Sequence, residues 1–128
     1  CKPTLFEELN PDALHRPFFD IDKYTTEEPH NDELNTIRAS LEQQVTQLMH
    51  ELDSDFDPDI NLVAAQRHRW VTHGGQRRFK ISFRLYVNGY AVKLPHLKAH
   101  VQGALERGVL RQADGWDTSV YPTGERMS

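Results

Sequence analysis

The sequence predicts an α+β fold of the split βαβ kind: one mixed sheet with two helices on one face. Three observations predict it. Apolar residues alternate at period two around residues 17–24 and 77–87. They recur at steps of three and four over 31–53 and 94–108. The chain has 128 residues, of which 38% are hydrophobic and 27% charged, which suits a single domain, 1–128, with a modest core.

Each element has its own signal. Pro17 and the acidic stretch after Tyr24 bound a first strand. Alternation puts Phe18, Asp20 and Asp22 on one of its faces, and Phe19, Ile21 and Lys23 on the other. Leu34, Ile37, Leu41, Val45, Leu48, Met49 and Leu52 form the apolar stripe of a helix over 31–53, with Asn31 as the expected N-cap. A second strand is expected over 60–72, although its alternation is blurred. His73-Gly74-Gly75-Gln76 reads as a hairpin turn. In the strand after it, Phe79, Ile81, Phe83, Leu85 and Val87 face one way, and Lys80, Ser82, Arg84 and Tyr86 the other. Leu94, Leu97, Val101 and Leu105 mark a second helix, opened near Pro95 and closed near Gly108. A last strand is expected from Trp116 to Tyr121, ended by Pro122. The predicted order is βαββαβ, which leaves one sheet face open to a ligand.

The net charge of −4 conceals a sharp asymmetry. Residues 1–59 carry 4 Lys/Arg against 15 Asp/Glu, whereas residues 60–105 carry 8 Lys/Arg and no acid. The acidic total argues against a generic basic nucleic-acid coat, but the acid-free stretch suits contacts with phosphate. One cysteine, Cys1, excludes an internal disulfide framework and a Cys-rich zinc module. No apolar run approaches the roughly 18 residues of a membrane span, so no membrane partner is expected.

Asp20 and Asp22 point the same way on a strand, about 7 Å apart. Among apolar neighbours, such a pair is stabilised by a hard divalent cation such as Mg²⁺ or Mn²⁺; the alternative is an exposed pair on an edge strand. Asp117 on the last strand either completes a three-carboxylate site beside Asp20 and Asp22 or is a lone turn or surface residue, since the sequence leaves the distance between the strands open. Lys80, Ser82 and Arg84 form a row suited to gripping phosphates, or simply a solvated face. Arg67, Arg69, Arg77 and Arg78, with Trp70 among them, surround the Gly74-Gly75 turn; such a hairpin either tracks a phosphate backbone and stacks a base, or is a solubilising tip. His96 and His100 share a helix face that reads as solvated, and His68 and His73 read as polar surface.

Three motifs therefore fall in order on predicted strands: Phe18-Phe19-Asp20-Ile21-Asp22, Lys80-Ile81-Ser82-Phe83-Arg84 and Trp116-Asp117-Thr118-Ser119-Val120-Tyr121. Together they resemble the catalytic core of the archaeo-eukaryotic primase superfamily, most closely its primase-polymerases and the primase domains of large DNA viruses. The resemblance spans about residues 17–121. Arg84 stands where the family has His, and Arg126 is near but out of clear register with the family's basic extension. The resemblance implies an RRM-like core and template-directed nucleotidyl transfer. Asp20, Asp22 and Asp117 would bind two Mg²⁺ or Mn²⁺ ions, and Lys80, Ser82 and Arg84 the incoming nucleoside triphosphate. It further implies a single-stranded DNA template, a replicative helicase region or protein as partner, and an intracellular setting, in the nucleus or at a viral replication site. The chain stops soon after the third motif, so a catalytic core fragment of a larger primase is expected. Two other readings stand beside this one: a non-catalytic RRM-like binder of single-stranded nucleic acid, and a metal-dependent nuclease.

Overall fold

A computed structural model describes residues 13–122. Its sheet is built around two long strands, β2 (Phe18–Thr25) and β5 (Gln76–Val87), which pair antiparallel over all of β2. A short β1 (Leu14–His15) precedes them and pairs with β6 (Val92–Lys93) in a separate two-stranded ribbon. On the outer side of β5 lie β3 (Leu62–Gln66) and β4 (Arg69–His73), end to end. On the outer side of β2 lies β7 (Trp116–Asp117). The order across the sheet is β3-β5-β2-β7, with β4 also paired to β5.

Every pairing among these strands is antiparallel, so the sheet is not mixed as expected. The cause is topological. β2 and β3 run parallel, as a helical crossover requires, but β5 is inserted between them and separates the parallel pair.

Helix α1 (Asn31–Leu52) is the first crossover, α2 (Pro58–Asn61) is one turn, and α3 (Leu94–Arg107) is the second crossover. The N-cap of α1 is His30, not Asn31, and its side chain makes no cap bond; the Leu34 amide instead donates to the His30 carbonyl. α3 opens with Pro95 in its first turn and stops at Gly108, whose φ of 80° is the left-handed conformation that ends a helix. Leu41, Val45 and Leu48 of α1 and Leu97, Val101 and Ala104 of α3 pack on Phe19, Ile21, Ile81, Phe83 and Leu85 of the sheet in one core. Each of these side chains other than Ala104 contributes about 1.5–3 kcal/mol by leaving water.

The blurred stretch 60–72 resolves into three pieces. Its start is α2, and its strand breaks at Arg67 and His68. The register is the same on both sides of the break. There the Ser82 amide donates to His68 Nδ1 at 3.0 Å, not to a backbone carbonyl. His68 is turned toward the core against Phe83, ring centroids 4.6 Å apart, rather than lying on the polar surface as expected. Its accepting Nδ1 puts the proton of the neutral ring on Nε2, which is buried without a partner.

The last strand is also shorter than expected, because the chain turns after Asp117. The Asp117 carboxylate accepts from the Ser119 amide at 2.8 Å and its hydroxyl at 2.6 Å, a local bond that competes with the sheet ladder.

Candidate metal and phosphate site

The open face is a grid whose rows follow from the register. One row reads Ala65, Arg84, Asp20, Asp117 from β3 to β7. The next holds Ser82 and Asp22 as partners, with Arg67, whose amide donates to the Ser82 carbonyl, on their outer side. The third reads Arg69, Lys80, Tyr24. Acids therefore occupy β2 and β7, and cations β4 and β5. The groove between them has a volume of about 420 Å³ and is lined by Asp20, Asp22, Arg67, Arg69, Lys80 and Arg84 among others.

Asp20, Asp22 and Asp117 each offer a carboxylate oxygen, and these oxygens lie within 4.8 Å of one another. The donor set is hard oxygen only. Small closing movements would bring it to the 2.0–2.1 Å ligand distances of Mg²⁺. These residues fit a divalent ion in number, chemistry and spacing.

Cations of the protein neutralise two of the acids. Arg84 Nε donates to Asp20 Oδ1 at 3.0 Å, and Lys80 Nζ lies 3.7 Å from Asp22 Oδ1. Burial raises the Asp20 carboxyl above its ordinary value, and Asp22 and Asp117 push the same way; the hydrogen bond and charge of Arg84 oppose the rise without cancelling it. Burial is the largest single influence on the Arg84 cation and works against it, but the hydrogen bond and charge of Asp20, together with those of Tyr86, outweigh it and its pKa is raised. The two partners differ because Arg84 is 40% exposed and Asp20 only 12%. Arg84 also lies over the Phe18 ring, 4.9 Å from its centroid.

β7 is held in place by a polar hub. Gln44 on α1 is buried, and every polar atom of its side chain is used. Its Oε1 accepts from the Arg111 amide at 2.8 Å and from Trp116 Nε1 at 3.2 Å. Its Nε2 donates to Asp114 at 2.7 Å. Gly115 completes the mounting. Its φ is 89°, a Cβ there would sit 2.4 Å from the Asp22 carbonyl oxygen, and its own carbonyl accepts from the Asp22 amide at 3.0 Å. Beyond β7, Tyr121 is buried and donates to the Phe18 carbonyl at 2.7 Å. Its hydroxyl is held far above its usual pKa, chiefly by burial.

No family model, curated protein or solved structure matches this chain.

The structure brings together Asp20, Asp22, Asp117, Lys80, Ser82 and Arg84 on one face. It divides the hairpin cluster. Arg67, Arg69 and Arg78 alternate onto the open face with Lys80. Trp70 and Arg77 belong to the opposite face, where Arg77 sits 4.7 Å over the indole and the indole packs edge-on against Phe79. The reading of Trp70 as an aromatic interleaved with the groove cations is thus corrected. Trp70 pairs with Phe79, and residues paired across a ladder share a face. His96 and His100 are exposed, as expected. Cys1 and Arg126 lie outside the described residues. Gln44 and Gly115 carried no motif in the sequence. Only Gly115, directly before the third motif, offered a signal: a glycine where two backbones approach closely.

Among the described residues, no helix is long and apolar enough to cross a membrane.

Proposed function

We propose that this chain is the catalytic core of a DNA primase or primase-polymerase of the archaeo-eukaryotic primase superfamily, with an RRM-like sheet. It makes primers on single-stranded DNA by metal-dependent nucleotidyl transfer. The observation that carries the reading is the convergence of Asp20, Asp22 and Asp117 beside Lys80, Ser82 and Arg84 on an open face. Acids from two strands far apart in sequence meet where cations suited to phosphate adjoin them.

In this reading the three carboxylates hold two Mg²⁺ or Mn²⁺ ions. Such ions, when bound, activate the attacking 3′-hydroxyl and steady the leaving pyrophosphate. Lys80 and Arg84 leave their carboxylates and turn to the phosphates of the nucleoside triphosphate; the Arg84 fork contacts two oxygens at once. Ser82 donates to a third. Arg84 stays charged at neutral pH, so it orients and neutralises but supplies no proton. Arg67 and Arg69 extend the cationic floor toward a DNA strand. The partners are a single-stranded template and nucleoside triphosphates, with a helicase acting at the same replication site inside the cell.

The test is primer synthesis on a single-stranded DNA template with Mn²⁺ and labelled nucleoside triphosphates. The wild type is expected to lengthen a product strand, and Asp20→Ala to abolish this. Equal activity in Asp20→Ala sinks the proposal, and a shortened template points to a nuclease instead.

One observation favours a second reading. Arg84 and Lys80 already neutralise Asp20 and Asp22 without any ion. A metal-free, non-catalytic binder of single strands would have the same pairs. Oligonucleotide binding that survives chelation and loss of all three acids, with no synthesis, supports that reading.

A further inference from the structure

At the far end of the open face, Tyr24 and His73 stack, with ring centroids 4.0 Å apart and planes inclined by 11°. The two residues come from β2 and β4, and the rings meet over β5, which runs between those strands. Tyr24 keeps 38% exposure and His73 is exposed, so the stack presents aromatic surface to water. Tyr24 continues the face that carries Asp20 and Asp22, about 7 Å beyond Asp22. Its row partners are Lys80 and Arg69, and Lys80 Nζ lies 6.0 Å from its ring centroid.

We propose that the Tyr24–His73 stack is the platform for an unpaired base of single-stranded nucleic acid. The inference rests on the primase reading and extends it by naming where the template strand is gripped. The chemistry is a combination that single strands use: π-faces of any base on an aromatic surface, and a backbone followed by cations. Here Arg69, Arg78 and Lys80 line the same end, whereas the carboxylates lie toward the other. A strand whose base rests on Tyr24 keeps its phosphates on the cationic half of the sheet and approaches the acids only at the reacting end. The alternative aromatic, Trp70, lies on the opposite face under Arg77 and is separated from this track.

The experiment is fluorescence anisotropy of a labelled oligothymidylate, in chelator, alongside an oligomer of the same length lacking bases. Tyr24→Ala is expected to weaken oligothymidylate binding roughly 5- to 100-fold, the scale of one stacked base. Tyr24→Phe should retain it, because the π-face remains. His73→Ala should weaken it in the same direction, and it carries the test if Tyr24→Ala is unfolded by thermal melting. Both alanine variants should bind the base-free oligomer as the wild type does. Unchanged oligothymidylate binding in the alanine variants overturns the inference. So does equal weakening on both oligomers, or a loss at Trp70→Ala in place of these two. A parallel Mn²⁺ titration separates the two levels. If Mn²⁺ binds through the acids and the wild type binds DNA but Tyr24 is silent, only the platform fails. If the wild type binds neither Mn²⁺ nor oligothymidylate, the primase reading fails with it.

Discussion

Arg84 donates to Asp20 at 3.0 Å from the neighbouring strand, and Asp20 is also one corner of the three-carboxylate cluster. In the proposed metal site the same carboxylate would answer to two cations, the built-in Arg84 and a divalent ion from solution. A divalent ion has to displace the guanidinium or share the acid with it.

Competition predicts an uncommon phenotype. Arg84→Ala should tighten Mn²⁺ binding, by up to about fivefold, or ~1 kcal/mol for a partly exposed pair. It should weaken nucleoside triphosphate binding at the same time. Mn²⁺ titration by electron paramagnetic resonance and nucleotide calorimetry read the two effects separately. Weaker Mn²⁺ binding in this variant would show that Arg84 supports the ion site and does not contest it.

Gln44 should matter to the ion without touching it. Gln44→Leu removes the acceptor of Arg111 and Trp116 and the donor to Asp114. Leaving such groups unpaired costs on the order of 1–3 kcal/mol. The expected result is a lower urea midpoint together with weaker Mn²⁺ binding, since β7 and Asp117 lose their mount. Lower stability with unchanged Mn²⁺ affinity would show that β7 is held by other contacts.

Gly115→Ala should be worse than its size suggests. The added methyl meets the Asp22 carbonyl, and the left-handed backbone is strained for alanine. A loss on the order of 1–3 kcal/mol is expected. Hydrogen exchange should locate it at β7 and at the Asp22 amide, which donates to Gly115.

His68 should make stability depend on pH. Burial lowers its pKa in the folded protein from 6.5. The unfolded chain therefore binds more protons between the two values, and stability rises with pH across that window. The contribution is complete above about 6.5 and is lost as pH falls through the folded value. Urea unfolding of the wild type from pH 7.5 to 5 should show this fall. His68→Leu, which also strips the Ser82 amide of its acceptor, should be less stable at pH 7.5 and show a shallower slope.

Much of the site was legible because strands repeat every two residues. Asp20 and Asp22 could be put on one face from spacing alone, as could Lys80, Ser82 and Arg84. The placing of Asp117 beside Asp20 needed the strand order, which spacing within one strand cannot give; the pairing of β7 with β2 supplies it. The hairpin cluster divides between the two faces by the same arithmetic. The Gly74–Gly75 turn fixes the register, which pairs Trp70 with Phe79 and takes it off the open face. Gln44 is different in kind. It sits one residue before Val45 on an otherwise ordinary helix, and its partners Arg111, Asp114 and Trp116 arrive from a segment far along the chain. No local pattern announces such a contact. His68 was hidden for a related reason: a side chain in place of a ladder carbonyl has no periodic trace.

The two-residue length of β7 has a consequence for folding. Asp20 and Asp117 stand near opposite ends of the described chain, and little backbone pairing fastens the second to the first. An ion held between them, as proposed, would act as a removable cross-link across that long loop. It favours the closed chain in proportion to how tightly it is held. If the carboxylates hold an ion as proposed, its binding would favour the docked last strand over the undocked one, adding to the hold that Gln44, Gly115 and Tyr121 already provide.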